Sequence, residues 1–367
     1  MSDDYKRPVR ISPDACISRE PGAFPALGYH GWPSVAVDEK GVTYVVASKR
    51  LLHIDPYGMV MLWKSYDRGL TWDEGRCIYD TVLDDRDAGI VYMGGGRMLV
   101  TTFSHDSLNY VTNPQDGWVC WQREVGEAET KRVFGVWDAS TEADRTGCSS
   151  YIISDDYGET WSDRHLMPLT APHGPSLMKD GSLMYLGIPK APVFATGSDL
   201  PDGVYCYVST DRGESFSMRS KIEIDPAFRP CEAYGIELSD GRIVGTVRTG
   251  DLHTLVFGSA DGGYTWTPAV HLTYGAPAQL IETADGRVIC TYSKRRDGTG
   301  QCIRVSSDGG ATWGGEMYIS SPDNDRDGDL GYPATAQYPD GSFITVYYQR
   351  WGSDRKTSLM RTLWRFE

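Results

Sequence analysis

Seven arginines, Arg50, Arg86, Arg229, Arg248, Arg295, Arg296 and Arg350, stand in segments that lead into or link short strand-like runs. The chain as a whole carries a formal charge of −14, from 36 Lys plus Arg against 50 Asp plus Glu. A guanidinium fork binds a carboxylate or a sulfate through two parallel hydrogen bonds, so basic residues concentrated in an acidic chain point to a small anionic ligand. The same balance repels a phosphate backbone, and nucleic acid is not an expected partner. His30 and His53 lie near these arginines without a third residue at metal-ligand spacing. The eight cysteines, at positions 16, 77, 120, 148, 206, 231, 290 and 302, form no C-x-x-C pair. Asp323 to Gly328 imitates the start of a calcium loop, but Ala334 stands where a closing Glu is needed. No metal or cofactor is expected.

A repeat organises the elements that must position these groups. The pattern S-x-D-x-G-x-[TS]-[WF] occurs as Ser65 to Trp72, Ser154 to Trp161, Ser209 to Phe216, Ser259 to Trp266 and Ser306 to Trp313. Asp bonding to its own backbone, Gly at positive φ and an aromatic folding back between strands make each octet a hairpin turn. A second repeat of apolar strand, Gly-containing turn and apolar strand recurs near residues 35–41, 90–97, 177–181, 236–241, 280–286 and 335–341. Together they describe units of four antiparallel strands. Six units predict an all-β, six-bladed β-propeller spanning residues 1–367 as one domain, with residues 7–17 completing the last blade. An insertion at about 105–147 in the second unit is too long for a passive connection. It reads equally as a wall over a binding site or as an oligomer contact. The oligomeric state is not legible.

No apolar run approaches the roughly 18 residues that span a bilayer, and the first residues lack the apolar core of a signal peptide. A cytoplasmic protein without a membrane partner is the expectation. Octets and first turns fall on one rim of such a propeller, and the variable loops that carry the arginines fall on the other.

The octets resemble the Asp-boxes of sialidases and related propeller glycosidases, over essentially the whole chain from residue 28. Glu232-Ala-Tyr-Gly-Ile-Glu-Leu-Ser-Asp-Gly-Arg-Ile-Val-Gly-Thr-Val-Arg248 is similar to the sialidase segment joining a catalytic Glu to a triad Arg. Gly331-Tyr332-Pro333 resembles the segment carrying that family's tyrosine nucleophile. The resemblance implies a retaining exo-glycosidase for a terminal sialic or related acidic sugar, with Tyr332 as nucleophile and Glu232 as its base. It places Arg50 and Asp55 where the family has an arginine and its acid/base aspartate. Asp85 or Asp87 is the rival acid. Arg248 and either Arg295 or Arg296 would hold the anion, helped by Arg86 and Arg350. His30, Trp32 and His53 would line the site.

One departure stands out: the family's first triad arginine is replaced in Gly31-Trp32-Pro33. This keeps open a lyase or glycosidase acting on uronate or sulfated glycans, and a non-catalytic glycan-binding propeller.

Overall fold

Runs of Val, Ile, Tyr and Trp five to ten residues long, bounded by Asp-Gly and Gly-Gly turns, favour a pleated, half-buried backbone. The computed structural model describes residues 7–20, 27–105, 116–191, 194–195, 200–320 and 328–367, so the calcium-like segment 323–327 lies outside the described residues. The chain starts with β1 (Pro8–Arg10) and β2 (Ala15–Ser18). Unit one holds β3 (Tyr29–Val37), β4 (Thr43–Arg50), β5 (Gly58–Ser65) and β6 (Arg76–Asp80). Unit two holds β7 (Asp84–Tyr92), β8 (Met98–His105), helix α1 (Asp116–Ala139), β9 (Cys148–Ser154) and β10 (His165–Met167). Unit three holds β11 (Ser176–Leu177), β12 (Leu183–Gly187), a small hairpin of β13 (Lys190–Ala191) and β14 (Phe194–Ala195), β15 (Val204–Ser209) and β16 (Ser217–Ile222). Unit four comprises β17 (Cys231–Glu237), β18 (Ile243–Arg248), β19 (His253–Ser259) and β20 (Val270–Tyr274). Unit five comprises β21 (Ala278–Glu282), β22 (Val288–Lys294), β23 (Gly300–Ser306) and β24 (Met317–Tyr318). Unit six comprises β25 (Gly331–Gln337), β26 (Phe343–Arg350) and β27 (Thr357–Phe366).

In units one to five the four main strands pair antiparallel in chain order. A single parallel bridge, Gly58 to Asp84, links units one and two. The last unit has no octet, and its outer strands come from the other end of the chain: Pro8 pairs with Phe366 and Ala15 with Arg361. The expectation that residues 7–17 complete the last sheet is therefore met.

The octets form the expected turns. In the fourth, Ser259 Oγ donates to Asp261 Oδ1 at 2.8 Å and accepts from Gly263 N at 2.9 Å, while Asp261 accepts from Thr265 N at 2.9 Å and Thr265 Oγ1 at 2.6 Å. The bond from the Thr265 hydroxyl, with those from Thr265 N and Ser259, holds the Asp261 carboxyl down at about 2.

The octet aromatics settle where the core sits. Trp161 packs among Tyr44, Val60 and Ile90 of units one and two, Phe216 among residues of units two and three, Trp266 between three and four, and Trp313 between four and five. Trp72 does the same between units six and one. Between units five and six, Phe343 and Trp364 take this place with no octet. The apolar core is thus divided among seams joining consecutive sheets, because each sheet buries both faces against a neighbour.

Helix α1 occupies the insertion and breaks at Gly126 (φ 83°, ψ 173°). Trp121, Val125 and Val133 pack with Leu27, Leu51 and Leu52, which docks the helix on the β4–β5 loop of unit one.

Candidate active site

Successive strands within a unit run antiparallel, so the starts of β3, β7, β17, β21 and β25 share the end opposite the octets. A cleft of about 450 Å³ opens there, lined by residues from several units, among them Trp32, His53, Arg86, Asp87, Glu232, Arg248, Arg295 and Tyr332. Four of these are delivered by one local device. The pairing of β3 with β4 slips between Gly31 and Ser34, that of β7 with β8 between Arg86 and Gly89, that of β17 with β18 between Cys231 and Ala233, and that of β25 with β26 between Gly331 and Ala334. At each slip a non-glycine residue has positive φ: Trp32 (53°), Asp87 (52°), Glu232 (32°) and Tyr332 (55°). A bulge re-aims a side chain out of the strand's in-out alternation, and left-handed backbone at a bulky residue is a strained arrangement typical of functional sites.

At the bottom of the cleft the Tyr332 phenol donates a hydrogen bond to Glu232 Oε1. Glu232 Oε2 accepts from Arg248 Nη1 at 2.7 Å, and the same nitrogen lies 3.5 Å from Tyr332 Oη. Arg248 is brought opposite by register, because Cys231 pairs with Arg248 across β17 and β18. Burial, reinforced by the negative charges of Glu232 and Asp87, pushes the Tyr332 phenol well above its usual 10. Arg295 Cζ stands 5.7 Å from the centre of the Tyr332 ring, and its Nη2 donates to Tyr348 Oη at 3.3 Å. The Nε atoms of Arg248 and Arg295 are buried and have no hydrogen-bond partner among the described residues. These are donors that an anion in the cleft could use.

Asp87 is the residue whose weight the sequence understated. Burial, with the Glu232 charge beside it, raises its carboxyl to about 8 against the pull of Arg86, Arg50 and Arg248. Its surroundings favour the protonated form, in which it is a hydrogen-bond donor.

Several expected site residues lie elsewhere. Arg50 is fully buried and pairs with Asp84, donating also to Ser48 Oγ at 2.6 Å and to the Asp85 carbonyl at 2.8 Å. Asp84 in turn holds Arg86. The guanidiniums of Arg50 and Arg86 lie 4.5 and 4.8 Å from the Trp32 ring centre, so Arg50 supports the cleft wall from behind and is not among the residues that line the cleft. Asp55 is also buried. Its carboxylate accepts from the backbone N–H groups of Leu51, Leu52 and Tyr57, the turn-forming role open to an aspartate before Pro56. Asp85 accepts from Thr81 and Ser104 away from the cleft. Arg296 is exposed and does not line it, whereas Arg295 does. His30 is buried beside Trp63, held by burial at about 4.

Arg350 lines a second cleft of about 490 Å³, together with Tyr29, His53, Trp121, Glu124 and Asp329. Helix α1 thus contributes a wall, as one reading of the insertion proposed. Where the resembled family has an arginine, an added Cβ on Gly31 would sit 3.3 Å from a Tyr29 ring carbon. Trp32 fills the adjoining wall instead. A comparison of Gly31-Trp32-Pro33 with Gly331-Tyr332-Pro333 would have revealed the shared bulge. Nothing comparable marks Asp87-Ala88-Gly89.

A sheet assembly of this kind, joined by Asp-box turns, is that of the sialidase-like proteins. Residues 119–345 match the BNR repeat-like domain, and the chain belongs to that sialidase-like family. Among solved structures it is similar to a protein of unknown function from Dyadobacter fermentans, with a TM-score of 0.76 at 18% identity over 98% of this chain and 99% of that one. It is also similar to the NanB sialidase from Streptococcus pneumoniae, with a TM-score of 0.68 at 13% identity over 96% and 71% of the two chains. The intramolecular trans-sialidase from Ruminococcus gnavus gives 0.67 at 15% identity over 100% and 98%. No curated protein matches the chain by sequence.

Proposed function

We propose that the protein is a retaining, sialidase-like exo-glycoside hydrolase that releases a terminal acidic sugar, and that its six sheets are the blades of one β-propeller domain. The seams joining each sheet to the next, including unit six to unit one, support the propeller. The observation that carries the activity is the Tyr332–Glu232–Arg248 cluster in an arginine-lined cleft.

In this reading Tyr332 attacks the anomeric carbon while Glu232 Oε1 takes the phenolic proton. A phenol with so high a pKa is a weak nucleophile unless a base acts in concert with attack. Arg248 holds Glu232 in place. Unlike a carboxylate nucleophile, a neutral phenol meets no charge repulsion from an acidic sugar. Arg295, Arg248 and Arg86 hold the sugar's carboxylate, and neutral Asp87 adds a donor. These fixed charges act in a partly enclosed cleft, where they stabilise the transition state without reorganising.

The test is release of free sugar from an aryl α-sialoside. Wild type should hydrolyse it, and Glu232→Gln and Tyr332→Phe should lose roughly 10²- to 10⁴-fold in kcat, the range for removing a proton-transfer partner. A folded wild type that releases nothing would overturn the sialoside reading. Trp32, standing beside the absent arginine and offering an aromatic ring to a sugar, favours a second reading as a uronide glycosidase, which the same assay on aryl uronides tests.

A further inference from the structure

We propose that His53 is the proton-transfer residue of this reaction, giving a proton to the leaving oxygen and later taking one from the attacking water. The inference rests on the glycosidase reading and supplies the acid/base that buried Asp55 does not.

His53 stands on the β4–β5 loop and, with Ile54, lines both clefts. A glycosidic bond between a sugar in the first cleft and a leaving group in the second must cross the wall they share. A group on that wall lies beside the glycosidic oxygen. Asp87, by contrast, feels the charge of Glu232 and so belongs with the nucleophile's base. Attack and departure take place on opposite faces of the anomeric carbon, which puts the leaving oxygen away from Tyr332 and Glu232.

The ring is built to work through Nε2. His53 Nδ1 lies 2.6 Å from Tyr29 Oη and 3.1 Å from Asp329 Oδ1, and Tyr29 Oη donates to that same carboxylate oxygen at 2.9 Å. In the protonated ring both nitrogens carry hydrogen: Nδ1–H faces the Tyr29 hydroxyl and the Asp329 carboxylate, and Nε2–H is left for the cleft. A carboxylate behind an imidazole fixes the tautomer and stabilises the imidazolium. Trp32 meets the ring edge-on at 5.3 Å and Tyr29 at 5.7 Å, while Arg86 Nη2 donates to the His53 carbonyl at 3.0 Å and pins the loop. The side chain is 41% exposed and lines both clefts, which leaves the ring open to a ligand.

The charged groups around the ring are Asp329, Arg86 and Arg295, with Glu124, Arg350, Asp354 and Arg355 lining the second cleft. Burial lowers the imidazole below its usual 6.5, Asp329 opposes the shift, and Arg86 and Arg295 add to it. Proton donation therefore belongs to mildly acidic solution. In the first step the anomeric C–O bond breaks as a bond to Tyr332 Oη forms. The leaving oxygen takes the Nε2 proton, and Glu232 takes that of the phenol. In the second step water attacks the anomeric carbon, its proton passes to Nε2, the bond to Tyr332 breaks, and Glu232 returns the phenolic proton.

The experiment measures kcat/KM for wild type, His53→Gln, Asp329→Asn and Asp87→Asn on aryl α-sialosides whose phenols range from strongly to weakly acidic. For His53→Gln we expect a loss of no more than about tenfold on the most acidic phenol and roughly 10²- to 10⁴-fold on the least acidic, which depends on a proton donor. The limb of its pH profile along which activity falls as pH rises through the His53 titration should be lost as well. Asp329→Asn should shift that limb to lower pH while keeping it. A His53→Gln series parallel to wild type, or the steep dependence appearing in Asp87→Asn instead, would overturn the assignment of His53 and leave the glycosidase reading standing. No hydrolysis of any member by wild type would overturn both.

Discussion

Trp32 and Tyr332 meet edge to face, ring centres 6.3 Å apart and planes at 82°, each carried into the cleft on the same Gly-aromatic-Pro bulge. One bulge presents a phenol bonded to Glu232 and the other presents an apolar ring clamped by Arg50 and Arg86. The two units thus use one backbone solution to present a polar group in one place and a wall in the other.

Arg295 is predicted to act on binding. Replacing its planar fork by a single ammonium in Arg295→Lys should raise KM for an acidic substrate about ten- to a hundredfold, as expected when a charge-assisted hydrogen bond worth about 1.5 to 3 kcal/mol is lost. Steady-state kinetics against an acidic and a neutral aryl glycoside check this. The effect should appear only with the acidic one.

Asp87 should make stability fall with rising pH. Its carboxyl titrates at about 8 in the folded protein, above the usual value near 4 of an unfolded chain, so folding favours the protonated form. The resulting stabilisation is present below pH 4 and is lost as pH rises toward and through 8. Thermal unfolding of Asp87→Asn, which cannot ionise, should show a shallower decline than wild type between pH 5 and 9. Equal slopes would count against the assignment.

Arg50→Met should unfold the protein more readily. It leaves Asp84 buried with one cation fewer, and breaking a buried pair costs about 3 to 5 kcal/mol. Denaturant titration should show the loss. Because Arg50 does not line the cleft, the fraction that remains folded should keep a KM within a few-fold of wild type, a result that the family's placement of this arginine in the site would not give.

Asp261→Ala tests the separation of the two ends of the sheets. It removes the bonds from Ser259 Oγ, Tyr264 N, Thr265 N and Thr265 Oγ1 that shape the turn. Melting temperature should fall, while activity per folded molecule stays unchanged.

The repeats made the sheets legible, because an octet such as Ser65 to Trp72 fixes a turn type and the spacing between octets fixes the strand count. The Glu232–Arg248 relation was also legible, since a hairpin of that length places its ends opposite one another. Asp55 and Arg50 misled for a physical reason: sequence reports the loop on which a side chain stands, while the direction it faces depends on neighbouring backbone N–H groups and on Asp84. Asp87 was obscured by the bulge that carries it. A positive φ at an ordinary aspartate leaves no compositional trace, and the strict alternation of a regular strand would have assigned its neighbours to the cleft. The value of His53 depends on Asp329, a residue from the far side of the chain that no local spacing could link to it.

The pairing of β1 and β2 with β27 has a consequence for assembly. β1 and β2 cannot be seated until β27 has been made and laid against β26, so the sheet that carries Tyr332 is latched by pairs as distant in sequence as Pro8 and Phe366. Closure of contacts so far apart in sequence is slow relative to local hairpin formation. The unit bearing Tyr332 should therefore be the last to gain protection from hydrogen exchange during refolding.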